Sequence, residues 1–151
     1  MGKRLKALAD ELSLYVKHLA WLHAVPRIEG DDSDEPGLSR LDQLTKEGKP
    51  VKLPPVTLPG VAETMFRIGP YEAGAMGAWP LSWGAIVNWQ LGTGIQLSSW
   101  EFEVIHSLSE AYFGMGKAAE KIDCKPPWGD ASAIEIQVGA VLDHLVGLGE
   151  D

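Results

Sequence analysis

A chain of 151 residues with 45% hydrophobic and 23% charged side chains is long enough for one ordinary domain with a buried core, and short for two. Its formal charge of −8 argues against a partner held through phosphates, which needs clustered Lys and Arg; Lys3, Arg4 and Lys6 gather only at one helix end. The lone Cys124 leaves no internal disulfide and no thiolate metal site, no apolar stretch is long enough to span a bilayer, and Asp10 and Glu11 interrupt any signal-peptide run. The expectation is a soluble, reduced, cytoplasmic protein that binds neither nucleic acid nor membrane.

Leu5, Leu8, Leu12, Tyr15, Leu19 and Leu22 recur at alternating spacings of three and four, which predicts an amphipathic helix over 3–24. Ala9 and Val16 widen its stripe, and Pro26 stops it. Leu14 and Trp21 lie off the stripe. Large apolar residues beyond a core stripe either meet a partner, whether a client or a second copy, or pack a second time within the domain.

Residues 26–59 read as a linker between that N-terminal helix (1–25) and a helical core domain (60–151). Its acidic run, Glu29-Gly30-Asp31-Asp32-Ser33-Asp34-Glu35, holds no apolar side chain and cannot order itself by burial. It also lacks the ligand pattern of a calcium-binding loop. Leu38, Leu41 and Leu44 suggest a short helix ending at Gly48, and Pro50, Pro54, Pro55 and Pro59 an extended segment.

A short helix is predicted over 61–68, closed by Gly69-Pro70, followed by an irregular loop over 71–78. Ser82 caps the next helix, to about Leu91, with Trp83, Ile86 and Trp89 three residues apart and Gly92 and Gly94 beyond its end. Ser98 and Glu101 form a Ser-x-x-Glu capping box that opens a long helix to about Ile122, striped by Phe102, Ile105, Leu108, Tyr112, Met115 and Ala119. The short connection over 92–97 predicts antiparallel packing of these two helices, with a core of Trp83, Ile86, Trp89, Phe102, Ile105, Leu108 and Tyr112. Pro126-Pro127 ends the segment, and Asp130 caps a last helix through Ile134, Val141 and Leu145. No strand pattern competes, so the fold expected is all-α, with about four to six helices.

Chemistry is sparse. His18, His23, His106 and His144 show no metal-ligand spacing, and Cys124 has no His or Asp beside it. Gly92-Thr93-Gly94 lacks the Gly-Lys-Ser/Thr of a phosphate loop. Glu101, Glu103 and Glu110 read as a solvated helix face rather than an acid–base pair. Accordingly no catalytic, cofactor-binding or metal-binding residue is assigned. The apolar surplus around Leu14, Trp21 and Trp79 marks candidate client-binding positions instead.

The middle of the chain resembles small proteins of tailed-phage and prophage tail modules. The similarity lies in Met65-Phe66-Arg67-Ile68-Gly69-Pro70, Gly74-Ala75-Met76-Gly77, Pro80-Leu81-Ser82-Trp83-Gly84-Ala85-Ile86 and the step from Trp100-Glu101 to Leu108-Ser109-Glu110-Ala111-Tyr112, with Pro126-Pro127-Trp128 trailing. These proteins resemble tail assembly chaperones, or the companion encoded just before the tape-measure protein. The resemblance implies a non-catalytic protein in the host cytoplasm that coats a tape-measure protein and recruits tail-tube subunits. Two other classes fit the composition: a structural virion part, such as a minor tail or head–tail connector protein, and a small regulatory or anti-defence protein that binds a host factor. Replacing residues 30–35 by a neutral Gly/Ser linker is expected to leave the melting temperature within a few degrees; a larger drop in a thermal melt would mean that the acidic run docks on the domain.

Overall fold

On α1 (Lys3–His23) the predicted stripe is buried at Leu12 and Leu22 and partly buried at Leu5, Leu8, Tyr15 and Leu19, and Val16 beside it is fully enclosed. The chain leaves the helix at Ala24, two residues before Pro26, whose ring disfavours helical backbone at the residue preceding it. The structure, a computed structural model, describes residues 2–28 and 37–129. Among these it is mostly helical, with five helices and one two-stranded sheet. The acidic run and the helix expected from Asp130 lie outside the described residues.

α2 (Arg40–Lys46) is capped by Ser39, whose hydroxyl accepts from the Asp42 amide at 3.1 Å. It ends in a Schellman motif. Gly48, at φ +70, donates to Thr45 O at 3.1 Å, and Lys49 donates to Leu44 O at 2.9 Å.

The proline-rich stretch that follows is a strap on α1 and not a linker. Thr57 donates through its amide and hydroxyl to Glu11 Oε1, at 3.0 and 2.8 Å, and His18 Nε2 lies 3.2 Å from Lys52 O. Pro54, between these two ties, is buried. α3 (Pro59–Ile68) begins two residues earlier than expected, because proline's fixed φ and missing N–H suit the first helical position. It buries Val61, Ala62 and Met65.

The all-α expectation needs one correction. Residues expected as an irregular loop form a hairpin of β1 (Glu72–Gly74) and β2 (Gly77–Trp79), paired Glu72↔Trp79, Ala73↔Ala78 and Gly74↔Gly77. Three-residue strands made largely of Gly and Ala carry no alternating β-branched pattern, so periodicity had nothing to register.

α4 (Trp83–Thr93) is capped by Ser82, whose Oγ accepts from Ala85 N at 3.1 Å, and it stops at Gly94, at φ +73. α5 (Ser99–Ala118) opens with the expected capping box. Ser98 Oγ accepts from Glu101 N at 3.2 Å, and Glu101 Oε1 accepts from Ser98 N at 3.1 Å.

α5 packs chiefly on α1, next on α3 and least on α4, so the predicted α4–α5 core is corrected to an α1–α5 core. Leu12, Val16, Met65, Leu81, Ile86, Ile105 and Leu108 share one cluster, with Phe102 and Tyr112 packed on its edge. The first helix, expected ahead of the core domain, is therefore half of the core. Trp83 and Trp89 are not core residues: Trp83 is about half exposed and Trp89 partly buried. Residues three apart precess by roughly 60° around a helix, so only the middle of the Trp83–Ile86–Trp89 series faces inward.

α1 and α5 run side by side in the same direction. Beyond their C-terminal ends Arg27 N donates to Glu120 O at 2.7 Å, in a parallel bridge of Arg27 with Lys121. Here a second cluster joins Trp21, Leu22 and Ala119, flanked by Leu41, Leu44, Met115 and Cys124. Leu108→Ala is expected to cost ~2–5 kcal/mol in a denaturant titration, as a fully buried leucine should. A loss below about half a kcal/mol would place Leu108 outside the core.

Candidate functional site

Ser109 is the polar residue most deeply placed in α5, with no exposed surface. Its hydroxyl donates to Pro70 O at 2.8 Å and accepts from Leu81 N at 2.7 Å. Those two residues precede and follow the hairpin, so one side chain fixes both of its stems. Glu72 Oε1 accepts from Ser82 N and Oγ, at 3.1 and 2.9 Å, which ties the hairpin to the N-cap of α4. On the hairpin the Trp79 ring lies across Gly74, where a Cβ would fall 3.0 Å from it. The rest of Trp79 stands in solvent, 55% exposed.

From this base α4 projects an uncharged surface. No residue from Ala73 to Trp100 is Asp, Glu, Lys, Arg or His, in a chain where 23% of residues are charged. Only Ile86 of α4 is buried. Trp83, Val87 and Leu91, successively four apart and so on one face, are 48%, 40% and 77% exposed. Trp83 is steadied from beneath by α5: its ring stacks on His106 at 3.7 Å with an interplanar angle of 4°, and on Phe102 at 5.4 Å. His106 is oriented in turn by Glu110, its Nδ1 lying 3.4 Å from Glu110 Oε1. Beside the stripe is an open groove of about 320 Å³ lined by Val87, Gln90, Leu91, Gly94, Ile95 and Gln96. Two glutamines are its only polar side chains, which suits apolar side chains of a partner better than a charged metabolite.

The three proposed client-binding residues part company. Trp79 is exposed, Leu14 is partly buried, and Trp21 is buried and structural. The Trp21 indole N–H donates to Cys124 O at 2.9 Å, and the Arg40 guanidinium sits 4.6 Å from its ring centroid. An off-stripe residue on an isolated helix looks unpartnered; here α2 and the segment after α5 supply the second burial. The sequence reading missed Trp83, Val87 and Leu91 as surface, and the signal that would have found them is the absence of ionisable residues across 73–100. A helix with no charge anywhere has either to be buried all round or to meet something.

His23 Nδ1 is 3.0 Å from the Tyr112 hydroxyl, whose phenol is pushed up from its ordinary pKa by burial, aided by Tyr71. Among the described residues no group of three or more His, Cys, Asp and Glu side chains is placed to hold a metal ion, and no helix is long and apolar enough to cross a membrane. Comparison with protein-family models, with curated proteins and with solved structures gives no match.

Ser109→Ala is expected to destabilise by ~1–3 kcal/mol, because it strands the buried Leu81 N–H without an acceptor. The exposed neighbour Ser107→Ala should change stability by no more than about half a kcal/mol in the same denaturation series.

Proposed function

We propose that this chain is a non-catalytic, client-binding protein of the tail assembly chaperone type, acting in the cytoplasm of a bacterial host. Its client in this reading is a phage tape-measure protein, to whose helices it would recruit tail-tube subunits. The observation that carries the proposal is the exposed Trp83–Val87–Leu91 stripe on a helix without a single ionisable side chain. Apolar faces of amphipathic helices are recognised by surfaces of this kind, through anchors at one-turn spacing set beside a shallow groove. Trp79, held on the neighbouring hairpin, extends the set of aromatic anchors.

Two further features support the reading. The formal charge of −8 keeps a protein with an exposed apolar face dispersed, as a chaperone must be before and after it meets its client. The hairpin and the start of α4, which shape this surface, also hold two of the segments that resemble those of tail-module proteins, Gly74 to Gly77 and Pro80 to Ile86. That resemblance is an analogy and adds to the geometry without replacing it.

Co-expression with the tape-measure protein of the same tail module tests the proposal. The expected outcome is a raised soluble yield of the tape measure and its co-purification with this chain. Leu91→Asp should leave the melting temperature within a few degrees, because Leu91 supports no core, yet weaken client binding by about tenfold or more. If the chain neither solubilises nor co-purifies with the tape measure, and is found in fixed stoichiometry in finished particles, it is a structural virion component.

A further inference from the structure

His18 lies on α1 with only 2% of its surface exposed. Its ring is stacked on Trp21 at 5.7 Å and meets Trp128 edge-on at 5.6 Å. Nε2 is 3.2 Å from the Lys52 carbonyl oxygen. A carbonyl only accepts, so Nε2 carries the ring proton and Nδ1 is bare. Nδ1 is buried and has no hydrogen-bond partner among the described residues. A neutral imidazole tolerates that at the modest cost of one unmade acceptor bond. An imidazolium does not, because Nδ1–H becomes a buried donor with nothing to receive it on a charged ring stripped of water.

The described surroundings offer no compensation. Among the described residues no carboxylate reaches the ring. Arg40 of α2 lies over Trp21, Lys52 presents its carbonyl, and Cys124 and Lys125 follow α5, where Asp123 is exposed. On α1 itself, Glu11 is engaged by Thr57. What the ring joins is equally specific. Through Lys52 it holds the proline-rich strap, and through Trp21 and Trp128 it holds the segment after α5, whose Cys124 carbonyl receives the Trp21 indole N–H.

We infer that His18 is an acid-sensitive latch, which fastens the strap and the segment after α5 to α1 while its ring is neutral and releases both when it is protonated. Burial pushes the imidazole below its ordinary pKa, against a smaller upward pull from the Lys52 carbonyl. In the opened form the ring regains its ordinary value. Closure is therefore at full strength above the ordinary histidine range. It weakens as pH falls through that range toward the lower closed-state value, by about tenfold in the closed-to-open ratio per pH unit. Trp21, on which the ring stacks, belongs to a cluster with Leu22 and Ala119, apart from the one that holds Leu12, Val16, Ile105 and Leu108, so the opening is local.

The test is NMR on the intact chain between about pH 8 and about pH 5, the range in which histidine charge changes. It follows the His18 ring resonances and the exchange protection factors of three N–H groups: the Trp21 indole, the Arg27 amide and, as a core control, the Leu108 amide. His18 should titrate below the ordinary histidine value. Protection at Trp21 and Arg27 should fall by about tenfold or more while Leu108 keeps its own. In His18→Gln, which retains a donor for Lys52 O and cannot become charged here, the pH dependence should vanish. The latch is overturned if His18 titrates at or above its ordinary value, if Leu108 loses protection in parallel, or if His18→Gln opens with the same pH profile. Should that variant not fold, the wild-type titration and protection factors decide alone.

Discussion

The side-by-side packing of α1 on α5 is the contact from which the other positions follow. Leu12, Val16, Ile105 and Leu108 are all essentially inaccessible, and each contributes about 1.5–3 kcal/mol of burial. Because the two helices run in the same direction, no short turn can join them. The chain must travel back along the pair before α5 begins, and the return path is where α2, the strap, α3, the hairpin and α4 are laid down. α3 seals the core from one side with Val61, Ala62 and Met65. α4 contributes Ile86 and little else, which leaves its remaining apolar surface outside.

Three buried polar side chains fasten this return path to the helix pair. Ser109 holds the two stems of the hairpin. His18 holds the strap. Arg40 donates to Trp21 O at 3.0 Å and to Lys121 O at 2.9 Å, bridging the last turn of α1 and the chain beyond α5. Burial pushes the Arg40 guanidinium below its ordinary pKa, with Cys124 pulling the other way, and its two carbonyl acceptors are the partners a buried cation requires. Apolar packing alone tolerates sliding and rotation of one helix on another. Directional bonds at these junctions do not, so they select one arrangement of the crossover.

Local signals were legible in the sequence and non-local ones were not. The α1 stripe, the Ser82 and Ser98 caps, the capping-box role of Glu101 and the α5 stripe through Ile105, Leu108 and Tyr112 all follow from spacing within one helix. The partner of each stripe does not: a short connection between α4 and α5 suggested that they pair with one another, yet α5 packs chiefly on α1, far away in sequence. Which of its two alternatives Trp21 takes was illegible for the same reason, since the groups that cover it come from Arg40 and Cys124. Prolines announced an extended segment without saying what it would lie on. At the candidate surface the order of errors reverses. Trp83 and Trp89 were assigned inward by their three-residue spacing with Ile86, whereas the uncharged composition of α4, a property of the whole segment, was the better guide to which side chains remain outside.

The separation between the two halves of the core also fixes an order of events during synthesis. α1 is complete after His23, but the helix that covers its leucines ends only at Ala118. At translation rates of about 5–20 residues per second, α1 waits on the order of five to twenty seconds for its partner. The α1–α5 contacts are long-range in sequence, and loop-closure entropy must be met before they form. Nascent chains that stop short of α5 lack one wall of the core. The domain therefore folds late and as a unit, when the last of the core leucines has left the ribosome.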